Sequence, residues 1–305
     1  MKKIHIANGN ISASEIALGC MRINSLSTSE ASVLINTAIE EGINFFDHAD
    51  IYGGGKSEKI FADAIDMKSS IREKIIIQTK CGIRDGYFDF SKQHIIDSIE
   101  GSLTRLNTDY IDIMLLHRPD TLMEPEEVAE AFSKLHSSGK VKYFGVCNQN
   151  PMQIELLNKY LNNKIIINQL QLSITNTGMI DSGMNVNMQI DPSINRDGSI
   201  LEYCRLKDIT IQAWSPFQYG FFEGVFLNND KFPELNNKIN EIAATKGVTN
   251  SAIAIAWILR HPAKIHPLVG TTNAKRLVDI CKASQVELTR QEWYEIYRAA
   301  GNKLP

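Results

Sequence analysis

Short apolar runs, each closed by polar residues, recur along this chain. Ile16–Met21, Ile43–Asp47, Ile75–Lys80, Ile111–His117, Val141–Asn148, Ile165–Leu172, Ile209–Trp214 and Ile265–Val269 all read as short buried strands. Between them the period changes. Ala31, Leu34, Ile35, Ala38 and Ile39 follow one another at helical spacing behind Ser27-x-x-Glu30, the pattern of a capping box, and Gly42 stops that helix. Further helices are predicted near residues 57–65, through Ile95, Ile99, Leu103 and Leu106, through Val128, Phe132 and Leu135, and from about Met152 to Leu161. Residues 3–12 predict a small hairpin that turns at Asn8-Gly9. The strands are apolar throughout, which suits a parallel sheet covered on both faces. Eight such strand–helix units in 305 residues predict a (β/α)8 TIM barrel with a short N-terminal β-hairpin, and a doubly wound open sheet is the alternative. No Pro/Gly/Ser-rich linker divides the chain, so residues 1–305 are read as one domain. Two long stretches, 173–198 and 215–234, read as irregular loops at the same barrel mouth.

Composition changes this picture little but removes several partners. A net charge of −3 gives no reason to expect nucleic acid or an anionic membrane surface. No apolar run approaches the roughly 20 residues of a membrane span, and Met1-Lys2-Lys3-Ile4-His5 lacks the apolar core of a secretory signal. The five cysteines, Cys20, Cys81, Cys147, Cys204 and Cys281, are scattered and form no C-x-x-C. They predict a reducing, cytoplasmic setting without disulfides or a bound metal.

Candidate chemistry concentrates where the strands end. In such barrels the site lies at the C-terminal ends of the strands. Here these ends carry Met21, Asp47, Lys80, His117, Asn148, Gln169, Trp214 and Gly270-Thr271-Thr272. The stretch from Asn44 to Gly53 stands out, because a buried run opens into Asp47, His48, Asp50 and Tyr52 ahead of Gly53–Gly55. Lys80 follows three isoleucines and needs an anion beside it, which Asp47 on the neighbouring strand supplies. A lysine beside Tyr52 would lower the tyrosine pKa from its ordinary value of about 10, making an Asp–Lys–Tyr proton relay with His117 next to it. The plainer readings are a structural Asp–Lys ion pair and a satisfied core histidine. Val269-Gly270-Thr271-Thr272-Asn273-Ala274-Lys275-Arg276 closes the last strand and opens a helix, which makes either an anion site or an ordinary helix cap. Gly55-Lys56-Ser57 lacks the first glycine of a Walker loop, and no G-x-G-x-x-G follows a strand.

These pieces taken together resemble the aldo-keto reductase superfamily over essentially the whole length. The resemblance rests on Phe45-Phe46-Asp47-His48-Ala49-Asp50-Ile51-Tyr52-Gly53, Lys80, Leu116-His117-Arg118-Pro119-Asp120, Ser138-Gly139-Lys140-Val141, Phe144-Gly145-Val146-Cys147-Asn148, Gln169, Trp214-Ser215-Pro216 and Gly270-Thr271-Thr272 through Arg276. The long loop and the Trp214–Gly224 stretch look most like a bacterial YdhF-type branch. The resemblance implies NADPH-dependent reduction of a small aldehyde or ketone to an alcohol. Asp47, Tyr52, Lys80 and His117 would be the catalytic set, with Tyr52 as proton donor. It further implies that Gly19, Cys20, Met21, Asp47, Asn148, Gln169, Trp214, Ser215, Pro216, Phe217, Gly270, Thr271, Thr272 and Arg276 border the cofactor, with Arg276 on the adenosine 2′-phosphate. Cys147 stands where the family usually has serine, Ile280 replaces a polar residue that touches adenine in some branches, and the lysine that some members carry near Gly270 for the 2′-phosphate has no counterpart. Two rivals remain: a nicotinamide-binding sensor subunit with little turnover, and a Schiff-base aldolase using Lys80.

Overall fold

The structure, a computed structural model, describes residues 1–67 and 69–304. Pro305, the last residue of the predicted domain, lies outside the described residues, as does Lys68. Eight parallel strands close into a barrel: β3 Ala17–Gly19, β4 Phe45–Asp47, β5 Ile76–Cys81, β6 Ile111–Leu116, β7 Val141–Cys147, β8 Ile165–Gln171, β9 Thr210–Trp214 and β12 His266–Val269. They pair in chain order, and β12 returns to β3 with Leu268 opposite Ala17 and Val269 opposite Leu18. The closed barrel, not the open sheet, is therefore the fold. Each sequence-predicted strand is present, with its ends displaced by no more than two residues; Ile75–Lys80 is shifted by one to Ile76–Cys81 and the others are shortened.

The outer ring comprises α1 Thr28–Glu40, α2 Lys56–Ile65, α3 Ser69–Arg72, α4 Lys92–Leu106, α5 Pro125–Ser137, α6 Pro151–Asn158, α7 Gly178–Met184, α8 Ile200–Leu206, α9 Pro233–Lys246, α10 Asn250–Leu259, α11 Ala274–Cys281 and α12 Arg290–Ala299. The predicted capping box opens α1. Glu30 N donates to Ser27 Oγ at 3.2 Å, and Ser27 N donates to Glu30 Oε2 at 2.8 Å. The predicted helix from Met152 ends at Asn158, sooner than its apolar spacing implied. Helix α10 is apolar on nearly every side and is sandwiched, with Trp257 stacked on Trp293 of α12 at 4.7 Å.

Inside the barrel, period-2 alternation sorts the side chains. Phe45, Ile113, Leu115, Ile167 and Leu268 form one apolar cluster with Ile6, Ile11 and Ala13 of the hairpin β1 Lys3–Ile6 and β2 Ile11–Ser14. The hairpin thus plugs the end of the barrel opposite the loops that follow the strands. Its turn runs through Ala7, Asn8 and Gly9, all at positive φ. In β7, Gly145 sits at a register shift, and a Cβ there would meet Leu115 Cδ2 at 2.5 Å and Ile167 O at 2.8 Å. The two stretches read as irregular are partly ordered. Residues 173–198 contain α7, and residues 215–234 contain a second small hairpin, β10 Gln218–Tyr219 and β11 Gly224–Val225, before α9 begins. Neither has enough apolar periodicity to be seen in sequence, and both are held by contacts from afar. Tyr297 of α12 donates to Asp181 Oδ1 at 2.6 Å, and Ser173 Oγ donates to Gln218 O at 2.7 Å.

Candidate active site

The site is built upward from the apolar barrel floor. Strand parity that turns Phe45 inward also turns Asp47 inward, and on β5 it does the same for Gln78 and Lys80. Lys80 is fully buried, and its Nζ donates to Asp47 Oδ2 at 2.7 Å, to His48 O at 2.7 Å and to Tyr52 Oη at 3.1 Å. Three acceptors for three protons is what a buried ammonium requires. Burial works against the Lys80 charge, yet Asp47 and the Tyr52 hydroxyl outweigh it and hold the lysine pKa above its ordinary value. Tyr52 reaches back over the strand ends from the loop, as the sequence implied, but its pKa moves the other way. Burial pushes it up to about 12, and Lys80 offsets only part of that rise. His117 closes β6, edge-on to Tyr52 with ring centres 6.0 Å apart. Burial, helped by Lys80 and Arg118, keeps it neutral, and its Nδ1 has no hydrogen-bond partner.

Beneath this cluster Gln169, already read at a strand end, joins Gln78 and Gln212, which strand-end reading missed. Gln78 Nε2 donates to Asp47 Oδ1 at 2.5 Å and to Gln212 Oε1 at 2.8 Å. Gln169 Nε2 donates to the same two oxygens at 3.1 Å each. Asp47 therefore accepts from Lys80 on one oxygen and from two amides on the other. This fixes its carboxylate, and it leaves Asp47 itself little capacity for a ligand. The signal was present in the sequence: Gln78 precedes Lys80 by two, and Gln212 precedes Trp214 by two, so each shares the inward parity of the residue above it.

A second wall stands across the mouth. Trp214 Nε1 donates to Asn148 Oδ1 at 3.1 Å, and Asn148 Nδ2 lies 3.0 Å from Cys147 Sγ. Burial pushes the Cys147 thiol up to about 12, so it behaves as a neutral, weakly polar contact where serine would offer a hydroxyl. Ser215, at φ 53°, turns the chain away through Pro216 and Phe217 toward β10. Phe222, from the tip of that hairpin, stacks on Trp214 at 5.7 Å, and Phe221 packs edge-on at 6.4 Å.

A third segment comes from β3 and β12, which exit side by side. A Cβ on Gly19 would lie 3.8 Å from Gly270 Cα. Cys20 is fully buried and faces the core, so only its backbone is available to a ligand, whereas Met21 is exposed. Thr271 Oγ1 accepts from Asn273 N at 3.2 Å, and Asn273 caps α11 by accepting from Arg276 N at 2.9 Å. Arg276 is exposed, and its guanidinium has no ion pair among the described residues.

The residues present suit a nicotinamide dinucleotide. Gln169 Oε1 meets only the Cys147 thiol at 4.0 Å, so it has capacity for an amide N–H. Trp214 offers a half-exposed ring, and Arg276 is an unpaired cation beside a helix start. Chemically, a protonated phenol held against a buried ammonium, next to a neutral imidazole, is arranged to give a proton to an oxygen at the mouth.

Comparison with known proteins shows the family. The pattern of the Aldo/keto reductase family matches residues 15–300. The chain is 37% identical to "Uncharacterized oxidoreductase YcsN" of Bacillus subtilis (strain 168), over 100% of both chains. It is 35% identical to "6-dehydroglucose reductase" of Agrobacterium fabrum, over 99% of both, and 31% identical to "Oxidoreductase YdhF" of Escherichia coli (strain K12), over 98% of both. Among solved structures it resembles the thermostable aldo-keto reductase Tm1743, crystallised with the inhibitor epalrestat, at a TM-score of 0.79 and 26% identity, covering 98% of this chain and 100% of that one.

Proposed function

Because this chain belongs to the aldo/keto reductase family, a family of oxidoreductases, we propose that it reduces the carbonyl of a small aldehyde or ketone with NADPH and that Tyr52 gives the proton. When bound, the reduced nicotinamide supplies a hydride to the carbonyl carbon. Tyr52 Oη delivers its proton to the carbonyl oxygen, so one hydride and one proton make the alcohol. Lys80, 3.1 Å from that Oη and locked on Asp47 at 2.7 Å, stabilises the phenolate that forms as the proton leaves. This contact is the single observation that carries the reading. His117, kept neutral by burial beside Tyr52, orients the carbonyl oxygen. Gln78, Gln169 and Gln212 keep Asp47 aimed at Lys80. Asn148, Gln169 and Trp214 would hold the nicotinamide end, bordered by Gly19, Cys20, Met21 and the Ser215–Phe217 turn. Gly270, Thr271, Thr272 and Arg276 would hold the adenosine end.

Two observations weigh against the aldolase rival. Lys80 is raised, not lowered, in pKa, and all three of its protons are engaged, which is the reverse of an amine prepared to attack a carbonyl. The test is NADPH oxidation by the purified protein over a panel of aldehydes and ketones. Steady consumption of NADPH with matching alcohol formation is expected. Tight NADPH binding with no turnover of any carbonyl would favour the sensor reading instead.

A further inference from the structure

Arg118 follows His117 at the end of β6, half-buried at the mouth. Its guanidinium carbon lies 5.2 Å from the Trp214 ring and 5.8 Å from the Phe221 ring. Among the described residues it makes no ion pair and no hydrogen bond, and its guanidinium faces aromatic rings. The nearest acid along the chain is not available to it. Asp120 accepts from Phe90 N at 3.0 Å on one oxygen and from Leu122 N at 2.9 Å on the other, which turns its carboxylate into the loop. The other charges of the site cancel: Asp47 and Lys80 neutralise each other, while His117 and Tyr52 are uncharged. Beside His117, Arg118 is therefore left as a positive charge with no ion pair among the described residues, on a guanidinium whose planar fork matches a carboxylate.

We propose that Arg118 is a substrate anchor, and that the carbonyl compounds this enzyme prefers carry a carboxylate or a comparable anion away from the reacting carbon. The proposal rests on the reductase reading and narrows its substrate class. With the carbonyl held at Tyr52 and His117, the anion meets the guanidinium over Trp214 and Phe221. The rings hold the guanidinium by cation–π contact and leave its N–H edge for the anion. Phe221 belongs to the 215–234 loop, so that loop also helps to set the preference.

The test compares matched pairs of substrates, succinic semialdehyde with its methyl ester and 4-formylbenzoate with its methyl ester, each with NADPH. The acid is expected to exceed its ester in kcat/KM by about tenfold or more for at least one pair, as one charge-assisted contact allows. Arg118→Met should bring that acid-to-ester ratio to about one. A parent ratio of one or below for both pairs would overturn the proposal. So would an unchanged ratio in Arg118→Met, including a variant that loses NADPH affinity instead, which would make Arg118 a cofactor contact. If no aldehyde of any kind is reduced, the reductase reading itself has failed, and binding decides the anchor separately. Benzoate, but not benzamide, should then alter Trp214 fluorescence in the parent and not in Arg118→Met. Equal responses to the two would dismiss the anchor.

Discussion

Tyr52 is an atom-scale competition between burial and a neighbouring charge. Lys80 pulls its pKa down, as the sequence reading expected, but burial wins and leaves it at about 12. At neutral pH the phenol is therefore fully protonated and prepared to donate. Lys80 then acts on the phenolate left behind, not on the resting hydroxyl. Arg276 is a simpler case, because it is exposed and has no ion pair among the described residues. If it meets a 2′-phosphate, Arg276→Ala should lower NADPH affinity by roughly tenfold, about 1.4 kcal/mol, and leave NADH affinity unchanged. Titration of both nucleotides against parent and variant checks this, and equal affinities in the parent would remove the assignment. Asp47, Lys80 and His117 were legible because each ends an apolar strand with a group that needs a partner. Gln78 and Gln212 lie one layer lower, where a buried amide in a strand looks like an interruption until its partners across the barrel are known.

Among the elements, the N-terminal hairpin is the one whose role the sequence understated. Asn8-Gly9 announced the turn, but only the fold places Ile6 and Ile11 against Phe45, Ile113 and Leu268 as the barrel floor. Ile6→Ala should cost about 2–5 kcal/mol of stability, as other buried large-to-small changes do. Denaturant unfolding measures the loss, and kcat should stay within about twofold because the floor lies below the glutamine layer. A fall in kcat without a loss of stability would contradict this placement. The eight strands were legible because each is a short apolar run, and α1 because its capping box is local in sequence. Helix α7 and the β10–β11 hairpin were not legible, since Tyr297, Ser173 and Gln171 hold them from outside their own segments.

The whole molecule buries several histidines in neutral form, and this sets its acid stability. Burial lowers His48 and His266 to about 3 and His261 to about 4, and it takes His117 well below its ordinary value. All four folded values lie under the unfolded value of about 6.5. The unfolded chain therefore binds more protons below that pH, and the stability these groups contribute is complete above about 6.5 and lost as pH falls toward 3. Across that range each of these histidines takes up a proton in the unfolded chain that burial excludes from the folded one, so stability falls with falling pH. Asp50 works in the opposite sense, since burial and Glu58 raise its carboxyl to about 6, but one group does not outweigh four. Tm measured from about pH 7 to about pH 4 should fall steeply, and a flat profile would show that the histidines are not buried neutral. Barrel closure, floor, glutamine layer and charged pair all converge on one hydroxyl, so Tyr52→Phe is the most direct test of how the protein works. Stopped-flow turnover and NADPH titration on the same preparation should find carbonyl reduction slowed by ~10²–10⁴ with cofactor affinity nearly unchanged. Near-normal NADPH-dependent reduction by Tyr52→Phe would contradict the account.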